Sequence, residues 1–291
     1  MITKTNAAIL ILFGLFLTLL IKNYPINPVA IDLNIVKVNW YGILFLTTIV
    51  IARIKLGKDI KKIDNRLKAE DADMLILCAM SGMLIGARLL YLIVYQGYPL
   101  EHYFSHPLDI IAIWKGGVSF HGGLIGLVIG VWIYSRKYKI QFLKCMDVIA
   151  LTAPIGLAEG RIGNFINGEL WGKVTDGPFG IVFQQAGSLP RHPSQIYECL
   201  LEGVVLFFIL KAYSMKERTK GSICGLFMVM YAIFRFSVEF VREPDSNLGY
   251  IAFGWLTTGQ LLCVPMLLIG LVVMNYESIA DHFRKQSIKG A

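Results

Sequence analysis

The run MLILCAMSGMLIGARLLYLIVY, Met74 to Tyr95, carries one charged residue, Arg88, in a stretch long enough to cross a bilayer. A transmembrane helix needs roughly 20 predominantly apolar residues. In hydrocarbon a backbone must satisfy its own amides, and a single segment does so only as a helix. Seven further apolar segments lie around this one: Ala7–Ile21, Val38–Ala52, Val118–Tyr134, Met146–Ala158, Ile196–Leu210, Ile223–Val241 and Ile251–Met274. Several are short and reach a full span only if polar flanking residues turn inward. Soluble domains carry about 25% charged residues. This chain of 291 residues carries 16%, with 55% hydrophobic residues and a mean hydropathy of +0.59. The apolar content excludes a disordered chain. The expected fold is all-α: a polytopic transmembrane helix bundle of seven core spans plus one extra N-terminal hydrophobic segment.

Lysines and arginines in the loops set the orientation, because cytoplasmic loops retain them. Nineteen fall on one side. They include Arg53 to Lys68 after the second segment, Arg136 to Lys144 after the fourth and Lys211 to Lys220 after the sixth. Six fall on the other: Lys22, Lys37, Lys115, Lys173, Arg191 and Arg242. The alternation holds at every loop, so both termini are expected in the cytoplasm. The net charge of +8 is then a topology signal and implies no nucleic acid. The segment before Ile26 follows a lone Lys4 and resembles a signal region, but no clear small-x-small cleavage site follows it. An uncleaved anchor is favoured. The expected organisation is an extra segment over 1–26, a membrane domain over 27–274 and a cytoplasmic tail over 275–291. The five cysteines form no CxxC pair and four lie in apolar runs, which excludes a disulfide framework and a zinc site.

Charged side chains inside spans are expensive, roughly 2.5–3.5 kcal/mol for a central arginine, and need partners or a task. Arg88, Arg161 and Arg235 are so placed. Arg161, Asn164 and Asn167 recur every three residues in GRIGNFINGELWG, Gly160 to Gly172. If the helix continues, they share a face. Tyr231, Arg235, Glu239 and Arg242 follow at spacings that make one helical stripe. Two positive charges against one negative would suit a phosphate. Ser119-Phe120-His121-Gly122-Gly123 offers an imidazole that exchanges protons near neutrality. Trp40-Tyr41-Gly42 opens the second segment. Arg191 to Gln195 leads into the sixth, where Glu198 and Glu202 stand four apart and would repel unless arginines or protonation relieve them. Gly82 and Gly86, and Gly122, Gly126 and Gly130, repeat every four residues, a spacing that lets helix backbones touch. By the loop charges, the polar groups fall in the outer half of the membrane, which points to a polar cavity there. These residues leave two readings open: an enzyme acting on an anionic phospholipid, or a transporter of an organic phosphate. An intramembrane protease lacks the paired residues it would need.

The Gly160–Gly172 run resembles the signature of the bacterial prolipoprotein diacylglyceryl transferases, G-R-x-G-N-F-x-N-x-E-x-x-G, with every fixed position filled. The resemblance extends to Trp40-Tyr41-Gly42, Ser119 to Gly123, Arg191 to Gln195 and Phe234 to Arg242, and covers the chain from about Asn27 to the last segment. It implies transfer of a diacylglyceryl group from phosphatidylglycerol to the lipobox cysteine of a preprolipoprotein. A thioether forms and glycerol phosphate leaves. It implies a multi-pass protein of the bacterial cytoplasmic (inner) membrane with its site towards the outer, periplasmic face. Partners would be phosphatidylglycerol, the signal-peptide and lipobox region of the preprolipoprotein, and membrane lipids. No metal or organic cofactor is expected. The catalytic candidates are His121, Arg161, Arg235 and Tyr41. The substrate-binding candidates are Arg161, Asn164, Asn167, Glu169, Gly172, Tyr231, Glu239 and Arg242. The extra first segment and the short connection from Gly172 to Arg191 depart from the family pattern.

Overall fold

A computed structural model describes residues 4–34, 36–94, 102, 105–112, 117–244 and 249–289. Tyr95, at the end of the third apolar segment, and Lys115, assigned to an outer loop, lie outside the described residues. The chain is mostly helical. Its helices are α1 (Lys4–Lys22), α2 (Trp40–Asp59), α3 (Asp71–Val94), α4 (Leu108–Ile111), α5 (Phe120–Lys137), α6 (Phe142–Ala150) and α7 (Ala153–Asn167). There follow α8 (Ser194–Glu198), a π-helical segment (Cys199–Val205), α9 (Leu206–Tyr213), α10 (Ser222–Val238), α11 (Thr258–Met274) and α12 (Tyr276–Lys289). Three short antiparallel hairpins decorate the connections: Val29–Asp32 with Lys37–Asn39, Ile181–Val182 with Pro190–Arg191, and Tyr250–Ala252 with Leu256–Thr257.

Among the described residues, two helices are long and apolar enough to cross a membrane, Trp40–Lys62 and Asp71–Ile93. Thr258–Met274 and Tyr276–His282, bent by 62° at their junction, would make a third if counted as one span. Leu10–Lys22 and Ser222–Val238 are shorter apolar helices. Large apolar side chains such as Leu77, Ile85 and Ile93 on α3, and Leu268 and Ile269 on α11, are exposed. Such a surface suits hydrocarbon rather than water.

The segment that reads as one run, Met146–Ala158, is two helices. Pro154 explains the break. It has no N–H, and its ring would clash with the Ala150 carbonyl in a continuous helix. It sits instead in the first turn of α7, where a missing donor is harmless. The freed Ile149 carbonyl accepts from the Thr152 amide at 2.8 Å and from its hydroxyl at 2.7 Å. Helix α7 then continues through the signature to Asn167.

The chain forms two compact units. The second unit comprises Ile49–Ala153, Phe208–Val229 and Leu268–Ala291. Its core gathers Leu56 of α2 and Ile60 just beyond its end, Leu75 on α3, Val131 and Tyr134 on α5, and Cys145 and Val148 on α6. Helices α3 and α5 meet through their glycines. A Cβ on Gly126 would overlap the Gly82 carbonyl, one on Gly122 the Gly86 carbonyl, and one on Gly130 the Cys78 carbonyl. The four-residue glycine spacing is therefore packing. Arg88, buried on α3, donates from Nε to the Ile110 carbonyl at 3.0 Å, from Nη1 to Gly117 at 2.8 Å and from Nη2 to Asp109 at 2.6 Å. This embedded arginine ties Asp109, Ile110 and Gly117 to α3.

The first unit comprises Met1–Thr48, Pro154–Phe207 and Met230–Leu267. Its core sets Leu17 and Leu20 of α1 with Ile162, Phe165 and Ile166 of α7, Phe183, Ile196 and Cys199. The Tyr24 ring touches those of Phe165 and Phe183, with centroids 5.1 and 5.2 Å away. The back of the signature helix is thus an apolar wall, and its other faces carry the polar groups.

Candidate functional site

Ten of the eleven candidate residues fall in the first unit; His121 falls in the second. Arg161 projects from α7 towards the π-helical segment. Its Nε lies 3.1 Å from Glu198 Oε2 and its Nη2 lies 3.3 Å from Glu202 Oε2. A π turn rearranges the usual i,i+4 spacing and is frequent at functional sites. Here it accompanies two fully buried carboxylates that engage one guanidinium. The repulsion expected of Glu198 and Glu202 is relieved by arginine.

Glu198 is the hub. Besides Arg161, its Oε1 lies 3.5 Å from Arg235 Nη1 and 3.2 Å from Arg242 Nη1. Arg235 also pairs with Glu239, whose Oε1 accepts from the Thr257 hydroxyl at 2.8 Å. Gly259 admits this arrangement, because a Cβ there would stand 2.9 Å from Glu239 Oε1. Three arginines meet three glutamates, so the cluster carries no formal excess charge. The positive site expected from Arg235, Glu239 and Arg242 alone is corrected by Glu198 and Glu202, which come from another segment. The α10 helix also stops at Val238, so the expected stripe does not run on as one regular helix. Helical bonding persists locally: the Glu239 amide donates to Arg235 at 3.2 Å and that of Arg242 to Val238 at 3.1 Å. Arg242 then forms a β-bridge with Gly172. Tyr231, one turn before Arg235, is buried.

A second polar group follows on α7. Asn164 Nδ2 donates to Glu169 Oε1 at 2.8 Å, and Asn167 Nδ2 to the same oxygen at 3.3 Å. Asn164 and Asn167 do share a face, and they spend an amide donor each on Glu169. The chain then turns sharply through Gly168 and Leu170, with φ of 67° and 59°. Gln195 Nε2 holds the Glu169 carbonyl at 2.5 Å and the Ser194 hydroxyl holds that of Leu170 at 2.9 Å. Gly172 donates to the His192 carbonyl at 2.8 Å and accepts from Arg191 at 3.1 Å. A Cβ on Gly172 would lie 2.6 Å from the Val241 carbonyl oxygen, so only glycine fits this approach. Arg191, Ser194 and Gln195 therefore brace the signature loop.

Tyr41 lies in the first turn of α2, half exposed, with its ring against Gly163. A Cβ on Gly163 would stand 2.5 Å from Tyr41 Cδ2. His121 is the second residue of α5, exposed, with its ring edge-on to Phe120 at 5.8 Å. Ser119 caps that helix by accepting from the Gly122 amide at 3.3 Å. Two participants, Thr257 and Gly259, carry no signal in the sequence. Glu198 and Glu202 are legible there as a like-charged pair that arginines would relieve, and the structure identifies those arginines as Arg161, Arg235 and Arg242.

The sequence profile described as prolipoprotein diacylglyceryl transferase matches residues 28–276. The chain is 48% identical over 259 residues to the phosphatidylglycerol–prolipoprotein diacylglyceryl transferase of Pseudomonas aeruginosa (strain LESB58), covering 89% of this chain and 96% of that protein. It is 46% identical over 250 residues to that of Nitratidesulfovibrio vulgaris (strain DP4), covering 86% and 94%. It is 46% identical over 249 residues to that of Legionella pneumophila (strain Paris), covering 85% and 96%. The match takes in the signature, the arginine–glutamate cluster and the hairpins between them. By profile and by identity along most of its length, the chain belongs to the prolipoprotein diacylglyceryl transferase family.

Proposed function

We propose that the arginine cluster centred on the buried Glu198 is where this chain handles the phosphate of its lipid substrate. The chain is a membrane transferase that moves a diacylglyceryl group from phosphatidylglycerol to a prolipoprotein, the first step of lipoprotein maturation. In the reaction the cysteine thiol loses its proton and sulfur bonds to a glycerol carbon. The bond from that carbon to the phosphate oxygen breaks, and glycerol phosphate leaves. A free thiol is only about 3% ionised at pH 7, a deficit of roughly 2 kcal/mol. His121 is our candidate for taking the proton, on the motif around it and its exposed position. The leaving phosphate gains negative charge as the bond opens. Fixed guanidiniums in a water-poor setting stabilise such charge better than water does. Arg161 and Arg235 are assigned this task. The three glutamates hold the guanidiniums in place before substrate arrives, and a lipid phosphate would compete with Glu198 for them.

Asn164, Asn167, Glu169 and Tyr41 are assigned to the glycerol head group. Gly172, Tyr231, Glu239 and Arg242 complete the substrate-binding set. Seven spans form the core over 27–274, with a polar cavity in the outer half. The segment over 1–26 is retained as an anchor, which the packing of Leu17 and Leu20 on α7 supports. Residues 275–291 form a cytoplasmic tail. The protein resides in the bacterial cytoplasmic membrane with its site on the periplasmic side, where the lipobox cysteine of the preprolipoprotein arrives. The observation that carries the reading is the meeting of Arg161, Arg235 and Arg242 on one buried carboxylate.

The test uses purified full chain, phosphatidylglycerol and a lipobox peptide, read by mass spectrometry. A peptide mass increase of one diacylglyceryl group, absent with a Cys→Ser peptide, is expected. No adduct from folded, lipid-bound protein would overturn the reading.

A further inference from the structure

Helix α7 has a face that the arginine cluster does not use. Gly156, Glu159 and Gly163 lie on it at i, i+3 and i+7, the spacing of one helical stripe. Tyr41, Leu44 and Thr48 make the matching stripe on α2, with Thr47 beside it. The two stripes touch along their length. The Tyr41 ring rests on Gly163, and a Cβ on Gly156 would meet Thr48 Cγ2 at 3.1 Å. Between these contacts stands Glu159, a half-buried carboxyl that follows Leu157 and Ala158. Its Oε2 accepts from the Thr47 hydroxyl at 3.1 Å and from the Thr48 hydroxyl. Each hydroxyl shares its single proton with the Leu44 carbonyl, at 2.7 and 3.1 Å. Among the described residues no lysine or arginine forms an ion pair with Glu159.

Two glycines let the helices approach, but close approach alone leaves them free to slide along one another. A carboxyl held by two adjacent hydroxyls fixes one register. The hydroxyls lie two turns from Tyr41 on the same helix, and Leu44 is one turn from it. Displacing Thr47 and Thr48 therefore displaces the tyrosine ring across Gly163. We infer that Glu159 is a positioning residue: through Thr47 and Thr48 it sets the register of α2 on α7 and so aims Tyr41. The inference rests on the proposed part of Tyr41 in the transfer reaction.

The experiment places 3-fluorotyrosine at position 41 in the full chain and records its fluorine resonance in lipid, alongside transfer to a lipobox peptide. Glu159→Ala and the double variant Thr47→Val/Thr48→Val should shift the resonance and lower kcat roughly tenfold with peptide KM unchanged, because small misplacements of a positioned group act on rate. Glu159→Gln keeps an accepting oxygen and should restore both. Glu159→Ala combined with Tyr41→Phe should be no slower than Tyr41→Phe alone. An unmoved resonance in Glu159→Ala, with Tyr41→Phe still impaired, overturns the inference and leaves the role of Tyr41 standing. A moved resonance with undiminished transfer overturns it by removing Tyr41 from the reaction. If only the thermal midpoint falls, equally for the Ala and Gln variants, Glu159 merely stabilises the fold.

Discussion

The α3–α5 pair and the Glu198 cluster solve the problem of holding helices in lipid by opposite means. In the first, glycines bring backbone against backbone, and a single added methyl meets a carbonyl. In the second, six charged side chains are gathered, four of them buried, and they neutralise one another. Packing of the first kind contributes stability and nothing chemical. Buried ion pairs contribute little net stability and are expensive to break, so their persistence points to a task. The two regions should therefore fail differently when changed.

The largest separation is expected from Arg235→Ala. Glu239 keeps Thr257, and Glu198 keeps Arg161 and Arg242, so the fold has substitutes. The phosphate proposed to bind there does not. Transfer should fall at least about 100-fold at near-normal protein abundance, measured by peptide adduct per folded enzyme. Full activity would mean that the cluster is only structural. Gly126→Leu should do the reverse. Its side chain has no room against Gly82, so folded protein in the membrane should drop sharply, with overpacking costing about 1–3 kcal/mol or more. Whatever folds should retain its rate, as a thermal melt paired with the transfer assay would reveal. Arg88→Met leaves three carbonyls without their donor, and unmet buried groups cost about 1–3 kcal/mol each at most. A lower thermal midpoint with little change in rate per folded molecule is expected. Arg53→Ala breaks an exposed pair with Asp73 and should cost less than about 1 kcal/mol and no activity. Loss of activity there would place the chemistry on the wrong face.

The family signature and the helices that carry it are legible because they are local. GRIGNFINGELWG announces both its helix and its polar face, and the glycine spacings announce their contact. The Glu198 hub is not legible in the same way. Its partners lie 37 to 44 residues away in sequence, and only the repulsion expected between Glu198 and Glu202 hints at them. The break before Pro154 was available in principle, since proline forbids the continuous helix, but a run of apolar residues hides it. The end of α10 at Val238 was not available. Spacing alone extends a stripe past the point where Arg242 turns to bridge Gly172. Asn164 and Asn167 were legible as donors, while their shared acceptor, Glu169, depends on a turn through left-handed Leu170.

The docking of α1 on α7 also has a consequence in time. Leu17 leaves the ribosome long before Phe165, its neighbour in the folded unit. At roughly 5–20 residues per second, synthesis of the intervening chain takes on the order of ten to thirty seconds. During that interval α1, proposed above as an anchor, is without its partner, and the apolar wall behind the signature helix closes only when the middle of the chain has been made. Maturation of the enzyme thus waits on a late encounter between a helix made early and the one that carries its motif.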